Sequence, residues 1–420
     1  MIDPKLRKIF PKSFLWGASV ATHQVEGGNN NQWTEWENKV SQTQANTAEK
    51  RLGWLPSWNF VSKQASSSDN YISGSGIEHY TRYKEDFKLL KSIGLNSFRS
   101  GIEWSRIMPS PGQLDQKQLE HYRKYYTELK TQKVETFMTL WHWTMPTWFT
   151  DLGGFEKRSN LVHWKSYIHC IVESGLLDYT NFVITLNEPN VYVSLSYILG
   201  EWPPQQKNVF KGLAVYLNLV RAHKYAYKVI KTMYPDIQIG VAAQLAACKP
   251  KNKYNLLDII AAKGSAYLSN WWFLNRIEKH VDYSGFNFYF RSYISALNPM
   301  HANPDAPLND LGWYMEPYAI REVIAQLHKR YKKPIYITEN GLADQQDRHR
   351  EWWLSGTLKA IAESLEEGCD VRGYLHWSLL DNFEWAYGWF PKFGLVAVDR
   401  VTMKRTIRAS AKKWAIWLTH

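Results

Sequence analysis

Cysteine is scarce in this 420-residue chain: Cys170, Cys248 and Cys369 are odd in number, far apart and form no CxxC pair. That excludes a disulfide framework or a cysteine zinc site and marks them as reduced packing residues. Long apolar runs are missing too, so no transmembrane helix is expected. The opening segment Met1-Ile2-Asp3-Pro4-Lys5-Leu6-Arg7-Lys8 carries no apolar core of signal-peptide length. A soluble, cytoplasmic protein without a membrane partner is the expectation. Basic charge is in excess, with 51 Lys and Arg against 39 Asp and Glu and a net +12. It is scattered over helix-like stretches such as Tyr83-Lys84-Glu85-Asp86, which argues against a nucleic-acid partner. A dinucleotide turn is also incomplete, because His79 stands where Gly74-Ser75-Gly76 would need its third glycine.

Aromatic residues, by contrast, are abundant: 21 Trp, 25 Tyr and 17 Phe. Most must serve packing, but large amphipathic rings also suit the apolar faces of sugars or bases. The length fits one large domain or two ordinary ones, and α/β barrels of about 250 residues or more form single domains. Strand-like runs alternate with amphipathic helical stretches at 14–19, 95–100, 134–140, 182–186, 237–243, 284–288, 335–338 and 371–377. Eight such units predict an α/β fold, a (β/α)8 TIM barrel, with residues 1–420 as its single domain. Between runs, Tyr80, Tyr83, Phe87 and Leu90 share a helix face that Gly94 is placed to stop. The polar stretch 38–76, with Ser66-Ser67-Ser68 and Ser73-Gly74-Ser75-Gly76, reads as a surface loop after the first strand.

In such barrels functional residues come from the carboxyl ends of the strands. Here those ends carry clusters that core packing does not select. Thr22-His23-Gln24-Val25-Glu26 follows the first run, Arg99 closes the second, and Trp141-His142-Trp143 ends the third. Asn187-Glu188 ends the fourth and Asn287-Phe288-Tyr289 the sixth. Glu339 ends the seventh, and Trp377 ends the eighth ahead of Asp381-Asn382-Phe383-Glu384-Trp385. Strands four and seven lie nearly opposite in an eight-membered ring, so Glu188 and Glu339 would face each other across its mouth. Each candidate also has a plain structural reading. Asn340-Gly341 is a hairpin signal under which Glu339 would be solvated, and Asn187 could cap a helix begun by Pro189. His142, Gln24, Glu384, Arg99, Trp377 and Trp385 could be barrel or loop residues. Trp54 and Trp58 read as loop staples in preference to a ligand wall.

Thr185-Leu186-Asn187-Glu188-Pro189 and Ile337-Thr338-Glu339-Asn340-Gly341 resemble the acid/base and nucleophile motifs of glycoside hydrolase family 1, the β-glucosidase and β-galactosidase family. The likeness runs from Pro11 to about Ser410. It implies that Glu339 is the nucleophile and Glu188 the acid/base. It further implies that Arg99, Tyr289 and Asn287 orient the nucleophile, and that Gln24, His142, Trp143, Asn187, Trp377, Glu384 and Trp385 bind the sugar. The implied reaction is hydrolysis of unphosphorylated β-glucosides, β-galactosides or short β-linked oligosaccharides through a covalent intermediate, with no metal or organic cofactor. A transglycosidase, or a non-catalytic sugar-binding barrel, is the alternative. The chain departs from the family between Val241 and Tyr283, where it is shorter. One wall of the aglycone side is therefore expected to be open or rebuilt, with the barrel interior at risk of exposure.

Overall fold

The computed structural model describes residues 2–296 and 306–419. Eight strands close into a barrel: β1 Leu15–Ser19, β2 Ser97–Gly101, β3 Glu135–Thr139, β4 Phe182–Asn187, β5 Gln238–Gln244, β6 Ser284–Phe288, β7 Ile335–Asn340 and β8 Val371–Trp377. Each lies parallel to its neighbour in the chain, and β8 closes on β1 from Leu15↔Gly373 to Ser19↔Trp377. With helices between the strands this is the expected (β/α)8 barrel, and every expected run supplies a strand with ends moved by one or two residues. The expected helix spans His79–Ser92, and Gly94 behind it takes a left-handed φ of 86°.

Burial on both faces explains why the strands are apolar runs without alternation. Inside the ring, Phe137, Ile184, Ala242, Tyr283, Tyr336 and Leu375 form a packed layer. Phe137 and Phe182 stack at 4.3 Å, and Tyr283 and Tyr336 meet edge to face at 5.2 Å. This plug fills the lower barrel and leaves only the upper end for chemistry.

Asn340-Gly341 makes no hairpin. β7 pairs in parallel with both β6 and β8, and Asn340 is its last residue, donating to the Phe288 carbonyl at 2.7 Å. A Cβ on Gly341 would lie 1.9 Å from the Trp377 carbonyl oxygen, so glycine is needed for close backbone approach. The helix after β4 also begins differently from the expectation. It spans Pro189–Val193 with proline first, but Glu188 holds the cap position, which frees the Asn187 side chain for the barrel mouth.

The stretch 38–76 is not a surface loop. Its residues fold into the helices Gln32–Asn46, Ala48–Leu52 and Trp58–Ala65. The serine and glycine clusters suggested a loop, but Trp33, Trp36, Glu37 and Ser41 recur at helical spacing and are all buried. Asn31 opens the first helix with a reciprocal cap to Thr34. Trp54 lies against Gly312 and Ser57 donates to the Asp310 carbonyl at 2.5 Å, so this segment staples the loop after β6.

After β5 the chain rebuilds its wall. Ala247–Pro250 pairs in parallel with Arg291–Ile294, and the helix Leu256–Ala266 runs through a π-helical turn, Tyr267–Trp271, into the helix Trp272–Ile277. Tyr216, on the long helix Val209–Met233, stacks on Trp272 at 4.5 Å. Val241 and Ala242 stay buried, so the feared exposure of the interior does not occur. At the other end of the chain, the helix Ala409–Thr419 covers β1. Trp414 and Trp417 contact Trp16, and the Trp417 indole donates to the Asp3 carbonyl at 2.9 Å.

Candidate active site

The upper ends of seven strands converge on two carboxyls. Glu339 lies at the end of β7, where Arg99 from β2 donates Nη1 to its Oε1 at 2.6 Å and the Tyr289 hydroxyl donates to its Oε2 at 2.6 Å. Arg99 is fully buried and otherwise saturated, reaching Thr139 at 3.1 Å, the Thr338 carbonyl at 3.2 Å and Asn187 Oδ1 at 2.6 Å. Glu188, just past β4, takes a left-handed φ of 40° and receives Asn287 Nδ2 at 2.7 Å. A strained backbone at that residue persists only because its surroundings over-determine it. The same Asn287 amide nitrogen also reaches Asn187 Oδ1 at 3.3 Å. Thr338 fixes that amide by donating to Asn287 Oδ1 at 2.6 Å.

Both glutamates are nearly sealed, 5% and 3% exposed. Burial and then the Glu339 charge push the Glu188 carboxyl well above its ordinary value. Burial raises Glu339 as well, against the pull of Arg99 and Tyr289. The asymmetry is what matters: Glu339 is held by a cation and a hydroxyl, Glu188 by one neutral amide.

The remaining candidates gather beside this pair. Asn187 accepts from Arg99, so its Nδ2 faces His142 Nε2 at 2.9 Å. That leaves the His142 proton on Nδ1, which is buried and has no partner among the described residues. Burial and then Arg99 hold His142 well below its usual value, as a neutral imidazole. Trp143, with φ of 74°, donates its indole N–H to the Asn187 carbonyl at 2.9 Å. Gln24 donates to the Phe383 carbonyl at 2.6 Å and to Glu384 at 3.4 Å, while its buried Oε1 is unpartnered. Glu384 is pushed up to about 8 by burial and then by Glu339. Trp377 and Trp385 lie 6.0 and 5.9 Å from the His142 ring. All twelve sequence candidates thus meet at one end of the barrel.

Several supporting residues carry no sequence signal of their own. Trp385 is wedged by Trp33 at 4.7 Å, Trp143 at 4.8 Å and Trp202 at 6.0 Å, and it stacks on His23 at 5.5 Å. His23 is in turn held by Glu37 at 2.7 Å. Trp33 and Glu37 lie on the helix Gln32–Asn46 just ahead of the stretch read as a loop, and Trp202 lies in a loop; in sequence they are two aromatics and an acid among many.

The profile of Glycosyl hydrolase family 1 matches residues 6–291 and 289–419, essentially the whole chain. The chain belongs to that family. It is 30% identical over 454 residues to Beta-glucosidase A of Acetivibrio thermocellus, covering 96% of each. It is 25% identical over 500 residues, 95% of each chain, to a Beta-galactosidase of Pyrococcus woesei. Both alignments exceed 420 positions, so these relatives carry residues without a counterpart here. Among solved structures, the beta-glycosidase from Pyrococcus horikoshii superposes with a TM-score of 0.84 at 31% identity, covering 97% of this chain and 94% of that one. The protein is a β-glycosidase.

Proposed function

We propose that the protein is a retaining β-glycosidase acting on unphosphorylated β-glucosides, β-galactosides or short β-linked oligosaccharides. The observation that carries this reading is the unequal holding of the two carboxyls. Glu339, oriented by Arg99 and Tyr289, attacks the anomeric carbon as a carboxylate. Glu188 gives its proton to the glycosidic oxygen as that bond breaks, leaving a glycosyl ester on Glu339. Glu188, now ionised, takes a proton from water, whose oxygen displaces Glu339 and restores both groups. The family likeness supports retention, which requires the two carboxyls ~5 to 5.5 Å apart, against ~6.5 to 9.5 Å for an inverting site.

Sugar binding follows from polar atoms left free. Gln24 Oε1 and Glu384 accept hydroxyl protons, the His142 Nδ1–H donates, Asn187 holds His142 and Arg99 in place, and Trp377 and Trp385 offer ring faces with Trp143 behind. A phosphorylated sugar would bring its dianion to Glu384, which already feels the charge of Glu339. Below about pH 8 that carboxyl is largely protonated, so the repulsion grows as pH rises. One barrel over residues 1–420 suffices for this chemistry. A cytoplasmic location suits its three unpaired cysteines.

The test uses a chromogenic β-glucoside with Glu339→Ala and added azide. Release should fall to background and be restored by azide with the α-glycosyl azide as product. Unchanged release, or a β-configured azide, removes Glu339 from the nucleophile's role.

A further inference from the structure

The wall rebuilt after β5 carries its apolar residues on the wrong side for a surface helix. Along Leu256–Ala266 and the turn that follows, Leu256, Leu257, Ile260, Tyr267 and Leu268 fall on one face, with Lys263 and Gly264 in the turn between, and that face stands in solvent. Leu257 is 64% and Ile260 57% exposed, whereas the opposite face, with Asp258, Ala262, Asn270 and Trp271, is buried. A helix packed only for its own fold shows the reverse arrangement.

The neighbouring helix extends this surface. Tyr216 stacks on Trp272, and one turn before each ring stand Leu213 and Leu268, both exposed. Phe210, a turn earlier again, is 85% exposed beside Val209. The two elements follow β4 and β5, so the ridge borders the barrel mouth on the side of Glu188. A contiguous apolar patch of this kind, set beside a functional opening, marks a docking surface.

The charges around it name the occupant. Residues 248–268 carry Lys249, Lys251, Lys253 and Lys263 against one acid, Asp258. That acid is turned inward, accepting the backbone N–H groups of Asn252 at 3.2 Å and Ala296 at 2.9 Å. Lys249 pairs with Glu322, while Lys207, Lys253 and Lys263 are exposed and have no ion-pair partner among the described residues. A second copy of the chain docked through the same face would set these lysines against each other. An anionic lipid surface would accept them, with the leucines, isoleucine and phenylalanine entering the acyl boundary and Tyr254 and Tyr267 at headgroup depth.

We propose that the apolar, lysine-flanked ridge formed by Leu256–Ala266, Leu268 and the first turns of Val209–Met233 docks the protein reversibly on an anionic bilayer surface. This departs from the sequence expectation of no membrane partner, and it is peripheral: among the described residues no helix is long and apolar enough to cross a membrane. Resting on the glycosidase reading, it further brings glycosides whose aglycone is a lipid or long alkyl chain within reach of the mouth.

The test is co-sedimentation of the full chain with vesicles of phosphatidylcholine alone and of phosphatidylcholine mixed with phosphatidylglycerol, at low and high salt. Wild type should sediment with the mixed vesicles, less with the neutral ones, and less as salt rises. The triple variant Phe210→Ser/Leu257→Ser/Ile260→Ser and the pair Lys253→Glu/Lys263→Glu should each bind about tenfold or more weakly. Both should keep the wild-type rate on a soluble chromogenic glycoside, which certifies their fold. Absence of sedimentation, equal sedimentation by the variants, or a wild-type dimer that the serine variant splits without vesicle binding would each overturn the proposal. Sedimentation requires no turnover, so its failure leaves the glycosidase reading standing, and loss of that reading leaves the docking measurable.

Discussion

On the side of β8, β1 and β3 the barrel mouth is walled by ring against ring, Trp385 among Trp33, Trp143, Trp202 and His23, nearly all of it sealed from water. On the side of β4 and β5 it is walled by a thin rebuilt segment whose inner face is buried and whose outer face is apolar and wet. The first wall is fixed by packing density, so each ring supports a neighbour that faces the sugar. The second is fixed by a two-stranded ladder and by the stacking of Tyr216 on Trp272 and Phe273, and its outward residues contribute little to holding it. Rigidity is thus concentrated where hydroxyls must be told apart, and the aglycone side is free to change.

The contrast can be broken in order of expected effect. Trp33→Ala, in the dense wall, should cost about 3 to 5 kcal/mol of stability and raise KM by releasing Trp385; thermal unfolding and steady-state rates read both. Glu188→Gln, at the boundary of the walls, should lower kcat about 10² to 10⁴-fold for substrates with poor leaving groups and much less for activated ones. A uniform loss across leaving groups would deny it the acid's role.

Tyr289→Phe removes a hydroxyl that pulls Glu339 down, at a cost of about 1.5 to 3 kcal/mol in the bond to that carboxylate. Glu339 must be ionised to attack, so its activity limb on the acid side should move to higher pH. The alkaline limb, set by loss of the Glu188 proton as pH rises through its raised value, should stay in place.

Glu384→Gln gives a pH-dependent gain in stability. The folded-state value of about 8 lies above the unfolded one near 4.5, so the wild type is favoured by protonation below the lower value and loses that advantage as pH climbs to 8. The melting-temperature advantage of the glutamine variant should therefore be small at pH 4 and grow toward pH 8, while sugar binding weakens. Smallest of all, Ile260→Ser on the rebuilt wall should change stability by no more than about 0.5 kcal/mol. A penalty the size of Trp33→Ala would mean that the outer ridge is packed after all.

The barrel and both carboxyls were legible because parallel strands are buried on both faces, so a carboxylate, guanidinium or imidazole at a strand end breaks an otherwise apolar run and announces itself. The holding of the aromatic wall was not legible. Trp33 and Glu37 stand just ahead of a stretch whose serines and glycines mimic a loop, with nothing local to say that their helix reaches the site, and nothing local says that Trp202 reaches Trp385 across the mouth. Asn187 shows the middle case: its identity pointed to a helix cap, yet the left-handed turn at Glu188 took that position and gave the amide to Arg99 and His142. The inverted face after β5 was visible as Leu256-Leu257-Asp258-Ile259-Ile260, but periodicity alone assigns such residues to the core.

The seam between β8 and β1 orders events during synthesis. Phe14 and Trp16 leave the ribosome ahead of the other barrel strands, while the strand that pairs with them and the helix carrying Trp414 and Trp417 follow all of these. Until then the nascent ring stays open at one edge with its first tryptophan uncovered, so a ribosome stalled within the closing helix would release a chain prone to capture by chaperones.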